Sequence, residues 1–310
     1  MLTPKPLGNS HRIDVVLHEA NAIVLGKDRE IRMALACLLA RGHLLIEDLP
    51  GVGKTTLAHL LAKLLGLDFQ RIQFTSDLLP ADILGVSIFD RDSGSFRFHP
   101  GPIFSSLILA DEVNRATPKA QSALLEAMEE RQVTAEGQTR ALPNPFYVIA
   151  TQNPAHQIGT FPLPESQLDR FMMRIAIGYP DRAAERELLA GADRREMIAA
   201  LQPLLSAELV LDLQQQATRV HAAPALIDYV QALVEHTRHA PEFDAGLSPR
   251  AALGLLSSAR AWALIEGRNH AMPEDIQAVL PAVAGHRLRL RNGGDMALVL
   301  RQLVEAVAIP

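Results

Sequence analysis

Cys37 is the only cysteine in the 310 residues, so no internal disulfide can form and the chain suits a reducing compartment. It lies in an apolar run and reads as a packing residue. Aromatic residues make up only 5% of the sequence, which leaves few platforms for stacking bases. Positive charge is not in excess either. Thirty Lys and Arg against 35 Asp and Glu give a net charge of -5, so bulk charge offers no reason to expect nucleic acid, although a local basic patch stays open. The longest apolar run, Met33 to Ala40, ends at Arg41 and is too short to cross a bilayer. The N-terminal MLTPKPLGNSHRID lacks the apolar centre of a signal peptide. The expectation is a soluble cytoplasmic protein with no membrane insertion. Its hydrophobic fraction of 48% is enough for packed cores, and its length suggests about two domains.

Residues 1–20 read as a lead-in. From there to about residue 181, β-rich apolar runs alternate with helical patterns. The runs are His43–Glu47, Arg71–Phe74, Leu107–Asp111, Phe146–Thr151 and Met172–Ile177. Leu57, Leu60, Leu61, Leu64 and Leu65 mark one face of an intervening helix. Strands alternating with helices imply a parallel sheet covered on both faces. Two segments break the alternation, 86–98 with a turn at Asp92–Ser95 and 131–142 with a turn near Glu136–Gly137. Both read as β-hairpins inserted into an α/β core. Residues 182–310 are rich in Ala, Leu, Arg and Glu with no convincing strand. Pro203, Pro224, Pro241, Pro249, Pro273 and Pro281 punctuate them, so several modest helices should fit between. The boundary falls near Gly178–Asp181. Trp262 reads as core, and His236 with His239 lacks a third ligand for zinc.

The chemistry-bearing stretch is DLPGVGKTT, residues 48–56, between an apolar strand and an apolar-faced helix. That is the setting of a phosphate-binding loop. Gly51 and Gly53 let backbone N–H groups turn toward phosphate oxygens, and the helix N-terminus adds its positive end. Pro50, Val52 and Thr56 complete the loop around them. Lys54 is placed for the β and γ phosphates, and the Thr55 hydroxyl for Mg²⁺. Asp48 departs from the general pattern, which begins with glycine. A second apolar strand, SLILADE, ends in two carboxylates. Asp111 would border the Mg²⁺ shell and Glu112 would act as general base toward water.

Other residues are ambiguous when read alone. Asn153 ends FYVIATQN and suits either a water-positioning amide or a turn before Pro154. Arg170, in PLPESQLDRF, and Arg250, in GLSPR, each suit a surface position equally well. Arg250 would nonetheless lie in a first helical turn, with Ser248 as cap and Pro249 at the first position, where a cation opposes the helix dipole and calls for an anion. Arg115 reads as either a contact to a neighbouring subunit or a packing residue.

Taken in order, IEDLPGVGKTTLA, QFTSDLLPADILG, GPIFSSLILADEVNRA, QSALLEAMEERQV, ATQNP, FPLPESQLDRFMM and GLSPRAAL resemble the MoxR family of AAA+ ATPases, over about residues 20 to 260. The resemblance implies a P-loop AAA+ core with a five-stranded parallel sheet and inserted hairpins, followed by a smaller α-helical lid at 182–310. It implies ATP and Mg²⁺, and a homo-oligomeric ring, usually a hexamer, with nucleotide between subunits. Asn153 then takes the sensor-1 role, Arg250 the sensor-2 role within its own subunit, and Arg170 the arginine finger reaching a neighbour. Val24 and Gly26 fall where such proteins hold adenine, and Glu-Asp before the loop is a family habit that accommodates Asp48. Family members act as chaperone-like remodellers or maturation factors, often with clients bearing von Willebrand factor A domains. The expected cycle has ATP closing the lid through Arg250. A nucleotide-gated switch with little turnover, a nucleic-acid motor and a metal-chelatase subunit are the rival readings.

Overall fold

The computed structural model describes residues 9–92, 94–153 and 159–309. Ser93, from the turn expected at Asp92–Ser95, and Pro154 lie outside them. Residues 9–20, read above as a lead-in, are instead part of helix α1 (Asn9–Ile23). Ile13, Val16, Leu17 and Ala20 recur at three- and four-residue spacing and are all buried, so the segment is one stripe of the main core. Helix α2 (Asp28–Leu39) follows and is apolar on almost every side, with Ile31 and Met33 through Leu39 buried.

The central sheet has five strands: β1 (Leu44–Glu47), β2 (Phe69–Gln73), β5 (Leu107–Asp111), β8 (Tyr147–Gln152) and β9 (Met173–Ile175). Their order is β2-β5-β8-β1-β9, and every pairing is parallel. All residues of β5 are buried, as are all but the last of β1 and β8, which is why they read as continuous apolar runs rather than alternating ones. Helix α3 (Lys54–Leu64) starts directly from the phosphate loop and buries Leu57, Leu60, Leu61 and Leu64. Helix α5 (Pro118–Glu130) covers the opposite face, capped by the Thr117 hydroxyl.

Both expected hairpins are present. The first is β3 (Gly85–Asp90) with β4 (Ser95–Pro100), introduced by the short helix α4 (Pro80–Leu84); the second is β6 (Gln132–Ala135) with β7 (Gln138–Ala141). They are fastened to each other. The Arg140 guanidinium lies 3.8 Å from the centre of the Phe98 ring, and the Ser87 hydroxyl donates to Glu136. At the outer end Phe89 and Phe96 pair edge-on, 52% and 73% exposed.

After the four-residue α6 (Glu165–Leu168) and β9, the chain enters α7 (Arg182–Ala190), α8 (Arg194–Ala200), α9 (Ala207–Arg219), α10 (Pro224–His239), α11 (Pro249–Ile265), α12 (Pro273–Ala284) and α13 (Met296–Ala306). This lid is helical, but it also contains one short antiparallel pair, β10 (Phe243–Ala245) with β11 (Arg289–Leu290). Strands of three and two residues are too short to produce a readable pattern. Pro224, Pro249 and Pro273 each open a helix, as expected, whereas Pro281 sits inside α12. It falls in the last turn, where one lost backbone hydrogen bond is tolerated.

The lid shares one continuous apolar core with α1, α2 and α3. Helix α11 packs on α2, and the buried Gln214 amide donates to the Leu38 carbonyl at 2.8 Å. Among the described residues no helix is long and apolar enough to cross a membrane.

Candidate nucleotide site

The loop between β1 and α3 turns through Gly51 (φ 86°) and Gly53 (φ 96°). A β-carbon at either position would meet nothing within 4 Å. Glycine is needed there for its left-handed backbone, and the space above the loop is open for a ligand. Lys54 is buried at the helix start and donates to the carbonyls of Asp48 (2.6 Å) and Leu49 (3.1 Å) and to the Asn153 side-chain oxygen (3.4 Å). Burial pushes its pKa down, and Asp48, Asp111 and Glu112 partly counter that. Thr55 is exposed and Val52 and Thr56 are half-buried on the same turn, with Pro50 at its outer edge.

The carboxylate of Asp48 explains its place before the loop. One oxygen accepts from the Leu49 N–H at 2.7 Å, the other from the N–H groups of Ile177 and Gly178, both at 2.6 Å. Asp48 thereby ties the phosphate loop to the segment leading out of β9. The same segment reaches Val24–Gly26: a β-carbon on Gly26 would come within 3.3 Å of Ala184, and Lys27 donates to the Tyr179 carbonyl.

Asp111 and Glu112 lie at the end of β5, beside Asn153 at the end of β8. Asp111 accepts from the Thr151 hydroxyl at 2.6 Å and pairs with Arg71 at 2.6 Å. Glu112 has φ 58°, a left-handed conformation that costs a non-glycine residue on the order of 1 kcal/mol or more. Its N–H donates to the Thr151 hydroxyl. Its carboxylate receives the Asn153 amide (3.0 Å), the Gln73 amide (3.0 Å) and the Arg115 guanidinium (3.1 Å). Arg115 pairs with Glu112 of the same chain in this structure. Lys54, Asn153 and Glu112 form an unbroken polar chain across the mouth of the loop.

Arg71, Gln73 and Thr151 were missed by sequence reasoning. The alternation Arg71–Ile72–Gln73 carried a signal: Ile72 is buried and its two neighbours are exposed. Register then places Gln73 directly opposite Asp111.

Arg250 is not where the expected role within its own subunit requires. Ser248 caps α11 as anticipated, its hydroxyl accepting from Ala251 at 3.1 Å. But the Arg250 guanidinium pairs with Glu129 at 2.6 Å and lies 3.6 Å from Asp169. It lines a cleft of about 450 Å³ with Arg41, His43, Arg131, Arg170 and Arg287. His43 precedes β1 and Asp48 follows it, roughly 16 Å apart at about 3.3 Å per residue. The cleft is at the opposite end of the sheet from the phosphate loop. In this structure Arg250 faces away from its own phosphate loop, and the lid packs on α2 through a shared core. Arg170 occupies the same cleft, half-buried, and its side chain makes no hydrogen bond or ion pair among the described residues.

A strand-ending carboxylate pair, a glycine-turned loop with a buried lysine and a parallel sheet with strand order β2-β5-β8-β1-β9 define a P-loop protein of the AAA class. Comparison with known proteins agrees. The family described as ATPase family associated with various cellular activities (AAA) matches residues 43–173, and the AAA lid domain matches residues 235–302. The chain is 43% identical to the uncharacterised protein YeaC of Bacillus subtilis, covering 94% of this chain and 92% of that one. It is 38% identical to chaperone MoxR1 of Mycobacterium tuberculosis, covering 97% and 83%. A solved structure from Cytophaga hutchinsonii, described as a candidate ATPase, superposes with a TM-score of 0.89 at 38% identity, covering 97% and 96%. The chain belongs to the MoxR family of AAA+ ATPases.

Proposed function

We propose that this protein hydrolyses ATP with Mg²⁺ in a homo-oligomeric ring, a hexamer in the arrangement we favour, and uses turnover to remodel or mature a client protein. The observation that carries the reading is the Lys54–Asn153–Glu112 chain facing open space above Gly51 and Gly53. These residues fit a nucleotide polyphosphate and its cation. Mg²⁺, when bound, would neutralise phosphate charge, and Thr55 and Asp111 are the residues that would hold it. Backbone N–H groups of residues 51–56 would bind the phosphates, with Lys54 turning from the Asp48 carbonyl toward them. Asn153 would orient the attacking water, and Glu112 would take its proton. Val24 and Gly26, beside the 177–184 segment, would border the base.

Position supports a role for Arg170 and Arg250 together on a neighbour's nucleotide, because both face away from their own loop. An arginine supplied from a neighbouring subunit is worth roughly 10³–10⁵ in rate in well-studied GTPases. The fastened hairpins, with Phe89 and Phe96 exposed at the tip, are the surface we assign to the client. The family resemblance favours a client bearing a von Willebrand factor A domain. The three contacts that hold the Glu112 carboxylate favour one second reading, a nucleotide-gated switch with little turnover.

The test measures turnover in Glu112→Gln, in Arg170→Ala, and in a 1:1 mixture of the two. Glu112→Gln should bind ATP and not hydrolyse it, and Arg170→Ala should fall by about 10³ or more. The mixture should regain activity, because random assembly completes roughly a quarter of the interfaces of a head-to-tail ring. Full turnover in Glu112→Gln removes it as base. No recovery on mixing, with Arg170→Ala fully active and a rate constant per subunit at every concentration, removes the ring mechanism.

A further inference from the structure

The arginine cleft contains one guanidinium that is neither exposed nor free. Arg287 follows α12 in the lid, and its side chain is only 6% exposed. An arginine has five N–H donors, and here all five are used. Nε donates to the Asp169 carboxylate at 2.7 Å. One terminal nitrogen donates to the carbonyls of Met172 (3.0 Å) and Val283, the other to those of Asp169 (3.1 Å) and Phe171 (2.7 Å). Four of the five bonds grip residues 169–172, the turn that carries Arg170, and none touches Arg170 itself. The neighbouring His286 shares the Phe171 carbonyl at 3.0 Å. From the other side, Arg174 donates to the Gly285 carbonyl and to Glu47.

The N–H groups of Asp169, Arg170, Phe171 and Met172 bond to the carbonyls of Glu165, Gln167, Leu168 and His43, and the Phe171 ring is buried, but the outward carbonyls of that turn are held from the lid. The turn lies between the four-residue α6 and β9, and its carbonyls at 169, 171 and 172 are taken by Arg287. Asp169 also sits 3.6 Å from Arg250 through its second oxygen, so one carboxylate lies between Arg287 and Arg250 in the cleft. A fully satisfied buried polar network rigidifies its surroundings, and removing one member leaves the others unpaired.

We infer that Arg287 is a positioning residue for Arg170: a lid side chain sets the conformation of the core turn that offers its guanidinium to the neighbouring subunit. The inference rests on the proposed action of Arg170 across the subunit interface. It makes the lid part of the donating half of each interface. Arg287 serves the next subunit's nucleotide, with no role at its own.

The experiment uses the full-length chain with Arg287→Met, Arg287→Lys and Asp169→Asn. Each is checked for folding by its melting temperature and for nucleotide affinity with a fluorescent ADP analogue. Arg287→Met should bind nucleotide within about twofold of wild type and lose at least tenfold in kcat with KM little changed. Arg287→Lys, which keeps the charge and loses the fork, should fall between the two. The deciding readout is mixing. A folded Arg287→Met subunit has an intact Glu112 and a misplaced Arg170, so adding inactive Glu112→Gln subunits should restore turnover as it does for Arg170→Ala. A merely weakened fold would not be rescued by an inactive partner. Should Arg287→Met fail to fold, Asp169→Asn, which removes the ionic partner while keeping its size, faces the same mixing assay. Wild-type kcat in the folded variant overturns the inference, as does loss without rescue while Arg170→Ala is rescued. Wild-type turnover in Arg170→Ala would instead fail the proposed function on which it rests.

Discussion

Replacing Asp48 with alanine should loosen the phosphate loop and the exit from β9 together. The carboxylate accepts three backbone N–H groups, two of them, from Ile177 and Gly178, through one oxygen. Ile177 is 3% exposed and Asp48 itself 9%, so water does not readily replace the lost acceptor. A buried donor left unsatisfied costs about 1–3 kcal/mol. Leu49 is exposed, and its N–H can turn to solvent. Two orphaned donors sharing one site give about 3–4 kcal/mol. For a chain of this length, an unfolding entropy near 2.1 cal/mol/K per residue converts that to a fall of about 5 °C in Tm. Because Lys54 hangs from the Asp48 carbonyl, nucleotide affinity should fall as well, by about tenfold if 1.4 kcal/mol of the loop's preorganisation is lost. Asp48→Asn keeps one acceptor and should lose about half as much stability. The assay pairs thermal and urea unfolding with titration of a fluorescent nucleotide. An Asp48→Ala protein with unchanged midpoint and unchanged affinity would refute the argument that this carboxylate holds the loop.

Arg71→Gln should free Asp111 from its 2.6 Å partner, and the Mg²⁺ concentration for half-maximal nucleotide binding should drop severalfold in a fluorescence titration; an unchanged or higher value would show that the ion pair does not compete. His43 has its pKa lowered to about 4 by burial, and its Nδ1 accepts from the Val148 N–H at 3.0 Å. Between pH 6.5 and about 4 the unfolded chain binds a proton that the folded one refuses, so stability falls as pH falls, by about 3 kcal/mol for this group across the window. His43→Gln should flatten that part of the urea-unfolding profile. The Cys37 thiol, fully buried and raised to about 12, should stay unreactive toward a disulfide reagent at pH 8 in the native protein and react at once in denaturant.

The candidate site residues in the phosphate loop and at the end of β5 were legible because each is a local pattern. Gly51 and Gly53 must turn, Lys54 must follow, and Asp111–Glu112 must end an apolar run. The five strands were legible for the same reason, to within about two residues at each end, and the hairpins through their turn residues. Helix α1 was hidden because the polar opening of the sequence obscured the stripe at Ile13, Val16, Leu17 and Ala20. Arg250 shows the limit most plainly. Its N-cap Ser248 and the Pro249 that opens the helix were read correctly, yet which end of the sheet the helix meets is decided by how α11 packs on α2, far away in sequence. Arg287 gave no sign at all, since a buried arginine with five partners looks, in a string of letters, like any surface residue of GHRLRLR.

The common core of lid and sheet has a mechanical consequence. A subunit whose last helices are packed into the same apolar mass as its first resists bending between its two parts. In the proposed ring, flexing would fall to the seams between neighbours, where we place Arg170 and Arg250. Each subunit would then move as a whole tooth of a gear, and the work of a nucleotide cycle would be delivered as rotation of neighbour against neighbour.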